Sequence, residues 1–191
     1  MRRLLTAIMT AVIVAAMAPA VQASESLWRD LRTQDGLVIL YRHAIAPGSG
    51  DPPGFRLGDC STQRNLSKEG REQARGIGRE LRKERVPVTQ VRSSRWCRAL
   101  DTARLMRVGA VRPTPSLDSV FTASTAQARK QERQARNLIR QHRGEPGVVL
   151  LVGHQANIID LTGIAPSSGE GVVVRMDEVG GIEVVGRIPA R

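Results

Sequence analysis

The chain holds three histidines. Two of them, His43 and His154, each close a short apolar run: Leu37-Val38-Ile39-Leu40 leads into Tyr41-Arg42-His43-Ala44, and Val148-Val149-Leu150-Leu151-Val152 leads into Gly153-His154-Gln155. A third strand candidate, Val88 to Ser94, is more polar; it ends in Ser93-Ser94 and is followed by Arg95 and Arg98. Unbroken apolar runs of this length read as strands buried on both faces. The carboxyl ends of parallel strands share one edge of an open α/β sheet, and ligands bind at that edge. Arginine presents a fork of donors that matches a tetrahedral oxyanion, and a helix N-terminus adds unpaired N–H groups. A neutral imidazole nitrogen can attack phosphorus while cations hold the equatorial oxygens. The chemistry that suits these residues together is capture and transfer of a phosphoryl group. The third histidine, His142, lies near a helix C-terminus in a polar stretch, where a solvated or dipole-compensating role is expected.

Bringing these groups together takes a regular alternation of strands and helices. Ser26 to Thr33 reads as a short helix with Leu27, Trp28 and Leu31 inward. Ala46 to Asp59 is a loop dense in Gly, Pro and Asp that crosses the end of the first strand, a place where loops commonly line a site. Leu66, Gly70, Ala74, Ile77 and Leu81 recur at helical spacing, so Leu66 to Arg85 is a helix, with Ser67 as N-cap and Pro87 as its stop. Ser93-Ser94 can cap a helix over Trp96 to Met106. Val111 to Leu117 is a weaker strand broken by Pro113 and Pro115, hence near an edge. Ser124 to His142 is an Arg-rich helix, and a short helix follows His154 through Ile158, Ile159 and Leu161. Gly171 to Met176 and Ile182 to Ile188 read as a hairpin. The predicted fold is α/β: a three-layer sandwich with a mostly parallel central sheet, helices on both faces and a C-terminal β-hairpin at the edge.

Composition narrows the partners. Lys and Arg number 29 against 18 Asp and Glu, which points to an anionic partner. Aromatic residues make up 3% of the chain, too few for the stacking platforms of single-stranded nucleic acid, so no nucleic-acid partner is expected. Residues 1–23 read as a secretory signal peptide: Arg2-Arg3, the apolar run Leu4 to Ala18, then Val21-Gln22-Ala23 as a small-residue cleavage site, with Ala18-Pro19-Ala20 as the alternative. An uncleaved anchor is the other reading. The remainder, residues 24–191, is expected to be a single domain, periplasmic or secreted, with no membrane span after cleavage. Two cysteines, Cys60 and Cys97, form an even count with no CxxC. That argues against zinc or a redox motif, and export permits a Cys60–Cys97 disulfide, with two buried thiols as the alternative.

At the residues that carry the chemistry, the sequence resembles the histidine phosphatase superfamily, the phosphoglycerate-mutase-like group. Leu40-Tyr41-Arg42-His43-Ala44 is similar to that family's Arg-His-Gly motif, with Ala in place of Gly. Asn65-Leu66-Ser67, Gly70 and Gln73-Ala74 resemble its first-helix pattern. Ser93-Ser94-Arg95-Trp96-Cys97-Arg98-Ala99 with Thr102-Ala103 resembles the segment of its second pocket arginine, and Val152-Gly153-His154 that of its second histidine. The resemblance covers roughly residues 37 to 162, with the four motifs in order. It implies a phosphomonoester hydrolase with His43 as nucleophile, and with Arg42, Arg98 and His154 clamping the phosphoryl group. It implies no cofactor and no metal. The proton donor it implies lies after the third strand or beside the second histidine, which makes Asp118 the candidate; a helix or turn cap is the other reading of that residue. Asn65 is a candidate phosphate contact, or simply a helix-entry residue. Arg95 falls outside the pattern and is expected at the rim or surface. No long insertion separates Leu117 from the helix at Ser124, so an open pocket is expected. The small exported members, some resembling lipopolysaccharide-core phosphatases, suggest a small phosphate ester or a cell-envelope phosphate as substrate. Two other functions fit the same residues: a phosphate-binding module without turnover, and a metal site of two histidines and Asp118. Arginines beside the histidines weigh against the metal, and export weighs against a mutase.

Overall fold

A computed structural model describes residues 24–190; the candidate signal peptide, residues 1–23, lies outside the described residues. The described chain runs α1 (Glu25–Thr33), β1 (Leu37–Arg42), α2 (Lys68–Lys83), β2 (Val88–Ser93), α3 (Cys97–Met106), β3 (Val111–Pro113), α4 (Thr125–Gln141), β4 (Val148–Gly153), α5 (Gln155–Thr162), β5 (Gly171–Met176) and β6 (Ile182–Ile188). One six-stranded sheet has the order β3-β2-β4-β1-β5-β6. β3, β2, β4 and β1 pair in parallel, while β5 runs antiparallel to β1 and β6 antiparallel to β5.

The strongest apolar runs take the centre because only a central strand can bury both faces. Leu37, Ile39 and Tyr41 of β1 and Val148, Leu150 and Val152 of β4 face one layer, packed by Leu27, Trp28 and Leu31 of α1, Ile77 and Leu81 of α2, and Ala99, Ala103 and Met106 of α3. Val38, Leu40, Val149 and Leu151 face the other, under Ala135 and Ile139 of α4 and Ile158 and Leu161 of α5. The period-2 alternation of strands thus meets two helical layers, one per face. Close approach is built in where α2 meets its neighbours. A Cβ on Gly70 would lie 2.0 Å from the Ile45 carbonyl oxygen, and one on Gly78 would lie 1.8 Å from that of Met106. Only glycine fits at either contact.

Several element ends differ from the sequence expectation, and two of the differences have a clear physical cause. The third strand is short, because Pro113 ends its pairing with β2, and Pro115-Ser116-Leu117 forms a 3₁₀ turn. Helix α3 begins one residue later than expected, and its first N–H, on Cys97, is capped from outside the segment by Gln63 Oε1 at 3.0 Å. Ser94 Oγ accepts instead from Trp96 N at 3.2 Å. The Cys60–Cys97 disulfide is formed, with the Cα atoms 5.7 Å apart. It joins the loop before α2 to the first turn of α3. In the chain-entropy account, a loop of that size stabilises the fold by roughly 4 kcal/mol. Among the described residues, no helix is long and apolar enough to cross a membrane.

Candidate active site

The carboxyl ends of β1, β2 and β4 sit side by side, so three distant segments meet. His43 continues the line of β1, donating its N–H to the Gly153 carbonyl at 2.9 Å. Its ring is fixed by the next residue, with Nδ1 2.8 Å from the Ala44 carbonyl oxygen. A carbonyl can only accept, so Nδ1 carries the proton and Nε2 keeps its lone pair. Ala44 is held in turn: its N–H donates to Thr102 Oγ1 at 3.0 Å, and that hydroxyl donates to Arg98 O at 2.7 Å. The residue after the histidine therefore ties β1 to α3.

His154 caps the N-terminus of α5. Its Nε2 lies 2.8 Å from Ser94 Oγ, and its ring centroid is 5.4 Å from that of His43. Both rings are buried. Burial pushes the His43 imidazole down to about 3; the bond to Ala44 opposes this, and the charges of Arg98, Arg64 and Arg42 add to it. His154 is pushed well below its usual range by burial first, then by His43 and the same guanidinium groups. Both imidazoles are neutral at neutral pH, the state a nucleophile needs.

Around them is a cavity of about 470 Å³ lined by Arg42, Arg64 and Arg98, with Asp51 as its one carboxylate among the described residues. Arg98, on the first turn of α3, is 2% exposed. It donates Nη1 to Asp51 Oδ1 at 2.7 Å and Nη2 to Oδ2 at 3.3 Å. Arg42 donates Nη1 to the Pro166 carbonyl at 2.9 Å. Three guanidinium charges against one carboxylate leave a surplus of two positive charges, which a phosphate dianion would neutralise. The mouth carries Phe55, Trp96, Phe121 and Ile159. The 118–124 segment is a short turn with Phe121 largely exposed, so among the described residues this connection builds no cap over the pocket.

Of the residues singled out from the sequence, Arg42, His43, Arg98 and His154 line this cavity. Two do not, and the reasons are physical. Asn65 spends its amide on loop carbonyls, donating to Cys60 O at 2.6 Å and Gln63 O at 3.1 Å; it braces the disulfide loop. Asp118 lies behind the pocket wall. It accepts from Arg95 N and Arg95 Nε at 2.8 Å each and faces Ser94 Oγ at 3.5 Å. A carboxylate so engaged has no oxygen turned to the cavity, and it is Ser119, the next residue, that lines the cavity. Asp118 thus fits neither a proton donor at the pocket nor a ligand of the two-histidine metal site. Among the described residues, no three His, Cys, Asp or Glu side chains are grouped to hold a metal. Arg95 does not line the cavity; its side chain is 42% exposed and paired with Asp118. His142 donates from Nε2 to Gly147 O at 2.9 Å, away from the cavity.

Two pocket residues escaped the sequence reading. Arg64 immediately precedes the Asn65-Leu66-Ser67 helix entry, and Asp51 lies between Gly50 and Pro52 in the long loop. The density of turn residues marks the loop, but nothing in the spacing says that it folds inward onto Arg98.

No family model and no curated protein matches this sequence. Solved structures do match in shape. The protein histidine phosphatase SixA, solved with tungstate, superimposes with a TM-score of 0.55 at 16% identity, covering 80% of this chain and 96% of that one. The fold is that of the histidine phosphatases. A phosphoserine phosphatase from Entamoeba histolytica shares the histidine phosphatase fold with a TM-score of 0.61 at 14% identity, over 81% of this chain and 98% of its own. A mycobacterial glucosyl-3-phosphoglycerate phosphatase does so with a TM-score of 0.60 at 16% identity, over 81% and 99%. Each solved relative is spanned almost end to end, so the shared histidine phosphatase fold accounts for nearly all of its length.

Proposed function

We propose that this protein is an exported phosphomonoester hydrolase working through a phosphohistidine on His43. The observation that carries the reading is the bond from His43 Nδ1 to the Ala44 carbonyl, which leaves Nε2 as the free, unprotonated nitrogen beside three arginines. The ring is thereby set in one tautomer before substrate arrives, and attack requires no proton loss. Arg42, Arg98 and His154 hold the equatorial oxygens, with Arg64 as a further donor from the loop side. After attack the ring is cationic, and the Ala44 carbonyl, already accepting from Nδ1–H, stabilises that charge. Preorganised donors of this kind contribute on the order of 10²–10³ in rate each. Structural neighbours include proteins named as phosphatases, which supports hydrolysis over simple phosphate binding.

Residues 24–191 act as one domain after removal of residues 1–23, in the periplasm or outside the cell; the disulfide favours such an oxidising compartment. The open mouth supports a small phosphate ester or a cell-envelope phosphate as substrate. Turnover of p-nitrophenyl phosphate and trapping of an acid-labile phosphoryl adduct test the reading, with His43→Ala as control. The wild type is expected to give both and the variant neither. Tight phosphate binding without turnover in the wild type would leave a binding module in place of an enzyme.

A further inference from the structure

We propose that Asp51, on the loop between β1 and α2, donates the proton to the leaving oxygen and later takes one from the attacking water. The inference rests on the phosphohistidine reading above and supplies the acid that reading lacks. Cleaving an alkyl phosphate expels an alkoxide unless a proton arrives with it, so a proton donor within the pocket is needed, and the two pocket histidines are held neutral. Among the described residues lining the cavity, Asp51 is the one carboxylate.

Its position is built. Arg64 fastens the loop by donating Nε to Gly50 O at 2.7 Å and Nη1 to Ala46 O. The Arg64 N–H reaches Asp51 Oδ1 at 3.3 Å, and Trp96 Nε1 donates to Oδ2 at 2.9 Å. Phe55, four residues on, stacks on the Trp96 ring with centroids 5.0 Å apart. The loop is thus anchored on both sides of Asp51, and the carboxylate lies across the arginine that a phosphoryl group would take.

That overlap gives the acid its switch. In the empty pocket, burial works to raise the Asp51 pKa, but the bonds from Arg98 and Trp96 and the Arg98 charge outweigh it and keep the group ionised. The charged and titratable groups around it are Arg98 from the start of α3, Arg64 from the loop, and Arg42, His43 and His154 across the cavity. A phosphate dianion that claims Arg98 removes the principal stabiliser of the carboxylate and sets two negative charges beside it. Both changes favour the protonated form. Substrate binding therefore loads the proton that the reaction uses.

The steps balance. His43 Nε2 bonds to phosphorus, the ester P–O bond breaks, and its electron pair takes the proton from Asp51, giving the alcohol, phosphohistidine and an Asp51 carboxylate. Water then attacks phosphorus and loses a proton to Asp51. The N–P bond breaks with its pair returning to Nε2, which releases phosphate and restores the Asp51 acid.

Two esters separate this role from a structural one. Ethyl phosphate needs a proton for its leaving group, whereas dinitrophenyl phosphate does not. For Asp51→Asn, ethyl phosphate turnover is expected to fall by roughly 10²–10⁴. The dinitrophenolate burst is expected to slow by less than about tenfold, with phosphohistidine accumulating because the second step has lost its base. Asp51→Glu, which keeps a carboxyl one methylene further out, is expected to retain part of the ethyl phosphate activity. Melting temperature and inorganic phosphate binding check that both variants fold. Equal losses on both esters, or a variant that turns over ethyl phosphate faster than the wild type, would overturn the assignment; the second result would make Asp51 an internal competitor for Arg98. A wild type that forms no phosphohistidine defeats the underlying reading instead, before any variant is compared.

Discussion

Two arginine–aspartate pairs stand three residues apart at the start of one helix, and they are built in opposite senses. In the Arg98–Asp51 pair the arginine side chain is 3% exposed and the carboxylate, on a loop, is 16% exposed. In the Arg95–Asp118 pair the carboxylate is 6% exposed and the arginine 42%. The buried partner is the fixed one, and the other is recruited to it. A fixed buried cation with a displaceable partner is a receptor for anions. A fixed buried anion held by its neighbour's backbone and by Ser94 is scaffolding, and here it braces the serine that positions His154. The same two residue types thus serve binding in one pair and support in the other, and the direction of burial decides which.

Breaking the first pair from the arginine side carries the largest expected effect. Arg98→Ala is expected to lower kcat/KM for p-nitrophenyl phosphate by on the order of 10²–10³, whereas Arg95→Ala is expected to lower it by less than about tenfold. Equal losses for the two would erase the distinction drawn here. Reduction of the Cys60–Cys97 bridge is next, because it anchors the turn bearing Arg98. Removing a contribution of roughly 4 kcal/mol, at about 2–4 °C for each kcal/mol in a chain of this size, predicts a melting temperature lower by roughly 8–16 °C in dithiothreitol. An unchanged melting curve would show that the bridge adds no stability.

Smaller effects sharpen the second pair. Asp118→Ala strands the Arg95 backbone N–H and guanidinium donors that Asp118 satisfies and is expected to destabilise the fold by about 1–3 kcal/mol, read by urea denaturation. The pH dependence is broader. Both buried histidines bind protons in the unfolded chain below about 6.5, while folded His43 resists protonation until about 3. The unfolded state therefore holds more protons in that window. Stability is full above about pH 6.5 and falls as the pH drops toward 3. His43→Gln is expected to flatten part of this slope, and thermal melts from pH 7 to pH 4 measure it.

Much of the architecture was legible in the chain because strand burial writes itself as apolar runs. Leu37 to Leu40 and Val148 to Val152 read as buried strands and do lie centrally, and Pro113 and Pro115 marked the third strand as near an edge, where β3 lies. Count and the expected compartment favoured a Cys60–Cys97 bridge over two buried thiols, and the bridge is formed. What failed was the assignment of partners. Asp118 lies one residue from the pocket-lining Ser119, and along an extended segment one residue turns a side chain to the opposite side. Asn65 sits at the helix entry as expected, but its amide is drawn to the carbonyls of the disulfide loop.

Residue order alone fixed the sheet's central strands, the ends that bear Arg42, His43 and His154, and the cationic character of whatever they surround. Those are local properties, set by hydrophobic pattern and by the short reach between a strand and its next residue. Only the tertiary structure decided that Asp51 lies on Arg98, that Arg64 joins the cavity and that Asp118 faces away from it. A long loop's path depends on many weak contacts made at once, here Arg64 on carbonyls, Phe55 on Trp96 and a disulfide, and no periodicity in the sequence encodes that sum.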